Sequence, residues 1–209
     1  MTEGRKHNWG TWAQNALTGF RGGDDGGPSY IPILPRHGVF LFRVAGDGQR
    51  FAALFRQAWR KLPLWTRRRL LKHWRHARCH QYGSEPLTSP WPLIELVERK
   101  SDFDRGNSED AYAQYNHRMC SFAFLAQAMD RFSDASVECA VAHELAHAVL
   151  CITDAASHLD PVNVRYDAWG FSQSEWDADE LAEAWGFDVQ ARDEAAEEFY
   201  RQRPREDAL

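Results

Sequence analysis

Cysteine is scarce in this chain and never paired in sequence. Its 209 residues hold only Cys79, Cys120, Cys139 and Cys151, with no C-x-x-C among them. A disulfide framework needs a denser pattern, so the fold has to rest on its apolar core. Apolar runs of membrane length are also missing. The longest, around 122–126 and 140–152, fall short of the ~20 residues that a span requires. The first eight residues are polar and contain no apolar h-region, so no secretory signal is expected. These absences predict a cytoplasmic protein with no membrane partner. Acid is absent from one long stretch, with no Asp or Glu between Asp47 and Glu85.

Apolar residues, by contrast, make up 44% of the chain, enough to bury one domain with an appendage. Residues 1–35 read as a flexible arm, because Gly22-Gly23-Asp24-Asp25-Gly26-Gly27-Pro28 cannot hold regular structure and Pro32 and Pro35 prolong the break. Trp9, Trp12 and Phe20 give that arm something to dock with. The domain proper is expected over 36–203, with a tail at 204–209. Strands are predicted at 39–44, 93–97 and 119–126, from short apolar runs. Helices are predicted at 49–62, broken by Pro63, then at 65–77, through 137–152, at 175–185 with Gly186 as its C-terminal cap, and from Asp188 to about Tyr200. The class is α+β. Pro-rich 84–92, polar 101–110 and the stretch from Thr153 to Gln173 read as loops.

The acid-free stretch is a basic helical pair, 48–78. Its cations include Arg50, Arg56, Arg60, Lys61, Arg67, Arg68, Arg69, Lys72, Arg75 and Arg78. Interleaved with Trp59, Trp65 and Trp74, they would suit nucleic acid. A charge run is more often solvated or paired within the molecule, and the acidic C-terminal third is the expected partner.

The chemistry concentrates in His143-Glu144-Leu145-Ala146-His147. Residues four apart share a helix face, with Cβ atoms ~5–6 Å apart, and two imidazoles so placed reach one ion. Glu144, beside the first histidine, can take a proton from water at the metal. This is the H-E-x-x-H pattern of zinc peptidases. The surrounding sequence favours a helix, with Ser133 or Asp134 as N-cap, five alanines and no Gly or Pro from Asp134 to Asp160. Val137, Val141, Leu145 and Val149 make it apolar nearly all round, as in a buried helix. Buried histidines and a carboxylate are costly without a partner, and a metal supplies one. Cys139 and Cys151 extend the four-residue repeat, but they lie about 18 Å apart along a helix and cannot share an ion with the histidines. They read as buried thiols.

A catalytic zinc needs three protein ligands and an open position. The candidates for the third are Glu175, Asp177, Asp179, Glu180, Asp167 and His158. A third histidine at the tight H-E-x-x-H-x-x-G-x-x-H spacing is absent. Glu175-Trp176-Asp177-Ala178-Asp179 resembles the Glu-x-x-x-Asp helix of the gluzincin metallopeptidases, over about 133–187. The resemblance implies a zincin-like minimal domain, with a small sheet packed on the H-E-x-x-H helix and a catalytic core over 93–187. It implies Zn2+ held by His143, His147 and Glu175, and Asp179 hydrogen-bonded to a ligating histidine. Ala178 and Ala182 suit close packing of the two helices. In size and solubility the chain looks most like the ImmA/IrrE-type peptidases. The expected activity is hydrolysis of a protein or peptide substrate, with Glu144 as base and His158, Arg165 or Tyr166 as oxyanion donor.

Three rival readings remain. Ser172-Gln173-Ser174-Glu175 also fits a capping box, in which Glu175 would turn back to the backbone. With His158 as third ligand the chain would instead resemble SprT-like, DNA-associated peptidases. Outside the enzymes, the alternative is a binding module stabilised by structural zinc.

Overall fold

In the computed structural model, residues 31–37, 39–77, 92–98, 111–116, 121–153 and 173–202 are described. They form a mixed α+β structure of five strands and six α-helices. The strands are β1 (Ile31–Leu34), β2 (Val39–Val44), β3 (Leu93–Val97), β4 (Ala113–Asn116) and β5 (Ser121–Leu125). The helices are α1 (Gly48–Lys61), α2 (Leu64–Ala77), α3 (Ala126–Arg131), α4 (Asp134–Thr153), α5 (Gln173–Ala184) and α6 (Val189–Gln202).

The sheet order is β1-β2-β3-β5-β4. The three inner strands run parallel, and β1 and β4 are antiparallel to their neighbours. Register lines up one row of side chains across all five strands: Ile31, Leu41, Ile94, Phe122 and Tyr115. Alternation along the strands buries Ile31, Leu41, Ile94 and Phe122 of this row, with Tyr115 half-buried, and leaves Pro32, Glu95 and Ala123 on the more accessible side. A sheet with period-2 burial has one face under a covering layer. That layer includes α1, α2 and α4. Phe51 of α1 packs on Phe124 at 4.9 Å between ring centroids, and Trp74 of α2 meets Phe122 edge-on at 6.1 Å.

Three differences from the sequence expectation have physical reasons. The break predicted through Pro35 is wrong at its end, because Ile31–Leu34 forms an outer strand with Ile31 and Ile33 buried. Proline is tolerated at a sheet edge, where its missing N–H costs no ladder bond. The carbonyl of Pro32 is used as well, accepting from Arg56 Nη1 at 2.8 Å. The strand predicted at 119–126 is the shorter Ser121–Leu125, and it lies inside the sheet, flanked by β3 and β4. Finally, α3 intervenes between that strand and α4. Phe132, in extended conformation (ψ 147°), ends it, and Ser133 then caps α4 by accepting from Ser136 N at 3.1 Å.

Arg50 fixes the α3–α4 corner. Its guanidinium donates to the carbonyls of Met129 (2.6 Å) and Phe132 (2.7 Å), which α3 leaves unpaired at its C-terminal end, and to Asp134 Oδ1 at 2.7 Å. Basic groups are favoured there by the helix's free carbonyls. On the other side of the corner Gly46 adopts φ +60°, with the Asp130 carboxylate where a side chain would stand. Lys61 pairs with the buried Glu138 of α4. The expected facing of basic pair and acidic C-terminal helices is therefore corrected: the acids that Arg50 and Lys61 engage belong to α4.

By length and composition α4 could cross a membrane, but 72% of its most apolar window is buried within the protein. Core packing accounts for its apolar character. The predicted arm at 1–30, the loops at 84–91, 101–110 and 154–172, and the tail at 204–209 lie outside the described residues.

Candidate metal centre

Helix α4 places His143 and His147 on one face, their rings 4.6 Å apart at the centroids and nearly perpendicular. Helix α5 packs across α4, and Ala178 and Ala182, both without exposed surface, are the residues that bring the backbones close. Close packing delivers Glu175, in the first turn of α5, to the histidines. Its Oε2 lies 3.1 Å from His143 Nε2 and its Oε1 3.4 Å from His147 Nε2. The two Nε2 atoms are 3.0 Å apart. The Glu175 carboxylate is thus engaged with the histidines rather than turned back on a capping box.

These distances provide a test of fit. Tetrahedral donors each ~2.0–2.1 Å from zinc stand ~3.3 Å from one another. The observed 3.0, 3.1 and 3.4 Å bracket that value. Two imidazoles and one carboxylate are also a donor set that zinc accepts in catalytic sites. Among the described residues this is the group able to hold an ion, and its donors all lie within 4.8 Å of one another. The Glu175 side chain is half exposed, so the described part of the site opens on that side.

Behind the cluster, Asp179 Oδ1 stands 2.6 Å from His143 Nδ1. Asp179 is one helical turn past Glu175, so one face of α5 supplies both carboxylates. A proton on Nδ1 directed at Asp179 leaves Nε2 with its lone pair facing the cluster, the tautomer a metal ligand would need. Arg192 of α6 completes the arrangement and was not anticipated from the sequence. Its Nη1 and Nη2 donate to Asp179 Oδ1 (2.7 Å) and Oδ2 (3.1 Å). Nη1 is also 2.8 Å from His143 Nδ1. With Nδ1–H turned to Asp179, both donors converge on the one carboxylate oxygen. The sequence signal lay in position, since Arg192 falls in the buried stripe of α6 between Val189 and Phe199. Helix α6 is held in place by its Asp188 cap, which accepts from Ala191 N at 2.9 Å, and by Ser136 Oγ donating to Ala191 O at 3.1 Å.

Glu144 is 5% exposed. Burial raises its pKa, and the charges of His143 and His147 pull the other way without cancelling the rise. For His143, burial disfavours the charged ring, but hydrogen bonds to Asp179 and Glu175 outweigh it and raise the pKa to about 9. Burial likewise works against the Asp179 carboxylate, but hydrogen bonds from His143 and Arg192 hold it down at about 2. Glu175 is lowered well below the usual carboxylate range, its hydrogen bonds to both histidines overcoming burial. Without metal, then, a proton on His143 holds the cluster together. The stability it contributes is fully present below about 6.5, the ordinary histidine value, and is lost as pH rises through about 9. A metal must displace this proton. Its affinity should therefore climb with pH by about one decade per unit and level off near 9, which competition titrations between pH 6 and 10 would read.

Asp177 is half-buried and Glu180 exposed, neither within the cluster. His158, Arg165, Tyr166 and Asp167 lie outside the described residues. Cys139 is a buried free thiol, its pKa pushed up to about 12 by burial. No known family, curated protein or solved structure matches the chain.

Proposed function

We propose that this protein is a zinc-dependent peptidase, hydrolysing peptide bonds in a protein or peptide substrate. The observation that carries this reading is the convergence of His143, His147 and Glu175 at spacings of 3.0–3.4 Å, with the buried Glu144 beside them. His143, His147 and Glu175 would hold the ion. When bound, zinc supplies Lewis acidity, bringing the pKa of water toward ~7 and polarising a carbonyl oxygen. Glu144 accepts the proton of the attacking water and returns it to the departing amine, and its raised pKa suits both halves of that task. Asp179, clamped by Arg192, fixes the tautomer and orientation of His143. The gluzincin-like order of H-E-x-x-H followed by Glu-x-x-x-Asp agrees with these roles, and a zincin-like domain is the finer fold reading that goes with them. The free thiol of Cys139 agrees with a cytoplasmic setting. A structural zinc module is the weaker reading, because a structural site has no use for a buried carboxylate beside its ligands. A third ligand at His158, the SprT-like alternative, is separated by metal titration.

The purified protein should carry about one zinc per chain. His143→Ala and His147→Ala should remove it. Glu175→Ala should weaken zinc at least ~tenfold while His158→Ala leaves it unchanged. Zinc kept in the Glu175 variant but lost in the His158 variant would overturn this ligand set.

A further inference from the structure

Among the described residues, seven cations of the acid-free helical pair fall into two groups. Arg50, Arg56 and Lys61 are used inside the protein, on Asp134, the Pro32 carbonyl and Glu138. Arg60, Arg68, Arg69 and Lys72 are exposed, and none forms an ion pair with another described residue. The aromatic residues divide in the same way. Trp59 and Trp74 are buried and stacked on each other at 5.5 Å, so they belong to the core. Trp65 is 56% exposed, with Leu64 beside it at 54%.

On α2 these exposed residues share one face. Trp65, Arg68, Arg69 and Lys72 stand at i, i+3, i+4 and i+7, the spacing of a helical stripe. The opposite face carries the buried Thr66, Leu70 and Trp74. A rise of ~1.5 Å per residue sets Arg68 and Lys72 ~6 Å apart along the axis, with Trp65 ~4.5 Å before Arg68. Arg60 adds a cation from the end of α1, next to the α1–α2 turn.

We propose that this face of α2, with Arg60, binds single-stranded nucleic acid, its cations on successive phosphates and Trp65 stacked on a base. Guanidinium forks match phosphate oxygens in pairs. An exposed indole is a platform for any unpaired base, which a duplex does not offer. An anionic membrane fits less well. Lying in a bilayer interface takes a continuous apolar face, and the apolar face of α2 is spent on the core, leaving Leu64 and Trp65 alone outside. An acidic polypeptide would answer the charge but give Trp65 no flat partner. The inference stands apart from the peptidase reading, since none of these residues belongs to the metal cluster.

The test is fluorescence anisotropy of a labelled oligothymidylate against the full-length, zinc-loaded protein between 50 and 200 mM salt. Three to four phosphate contacts predict a log–log slope of about −2 to −3. Arg68→Gln/Arg69→Gln/Lys72→Gln should flatten that slope by about 2. Trp65→Ala should weaken binding ~5- to 150-fold, and Trp65→Tyr should largely restore it. Thermal melts and zinc content of all variants should match the parent, because the side chains are exposed. Three results would overturn the proposal: no binding at 50 mM salt, binding whose slope the triple variant leaves unchanged, or capture by phosphatidylserine vesicles or polyglutamate at least as tight as by the oligonucleotide.

Discussion

Glu144→Gln should leave zinc content unchanged and lower peptide hydrolysis ~10²–10⁴-fold, the usual worth of a positioned general base. Glutamine keeps the shape of the side chain and its place on α4, but it accepts no proton. In the proposed ligand set the donor atoms belong to His143, His147 and Glu175, so the metal should be retained. Stability should move the other way from activity. A buried carboxylate resists ionisation, as the raised pKa of Glu144 reflects, and the amide removes that cost, so the variant should melt no lower than the parent. The same raised pKa shifts the acid limb of the rate profile. Activity should fall as pH drops through a value above the 4.5 of an ordinary glutamate, because the protonated acid cannot act as base. Zinc assay, initial rates and melts on one preparation test all three. A variant that cleaves like the parent would remove Glu144 from the chemistry. One that loses zinc would make Glu144 part of the metal's support instead.

What the sequence disclosed and what it hid follow a physical divide. Elements whose signals are local were legible. The strands at 39–44 and 93–97 match the structure residue for residue, and Ser133, one of the two N-cap candidates, caps α4. Each depends on a few consecutive residues. The pairing of α5 with α4 was also expected, from the resemblance of 175–179 to a Glu-x-x-x-Asp helix that packs on H-E-x-x-H. Elements that owe their state to neighbours were hidden. Strand β4, Ala-Gln-Tyr-Asn, lacks β-branched residues and is a strand because β5 lies alongside it. Ile31–Leu34 holds a proline and is a strand because β2 accepts it at the edge. Charge pairing was hidden for the same reason. Composition pointed the basic helices at the acidic C-terminal third, yet Arg50 and Lys61 found two acids on the apolar helix α4. The number of charges in a segment says little about which one lies within 3 Å.

Arg192 is the extreme case of a long-range partner, and its removal should have the largest effect on the folded state. It is 4% exposed and bonded at both nitrogens to Asp179. Removing one half of a buried pair typically costs 3–5 kcal/mol, because the other charge is left without compensation. Asp179 keeps some contact with water, so Arg192→Met should cost about 3 kcal/mol, the lower end of that range. For a domain of this size the midpoint should fall by ~6–12 °C. Zinc affinity should fall as well, by ~10–100-fold, since Asp179 without its clamp no longer fixes the His143 ring. Arg192→Lys should recover part of the stability but little of the affinity, because an ammonium supplies the charge without the two-pronged fork. The double variant Arg192→Met/Asp179→Asn should cost less than the two single changes added together, as residues of one network do. That shortfall distinguishes a shared electrostatic unit from ordinary packing. If Arg192→Met melts with the parent and holds zinc as tightly, α6 only covers the site, and the orientation of His143 depends on Asp179 alone.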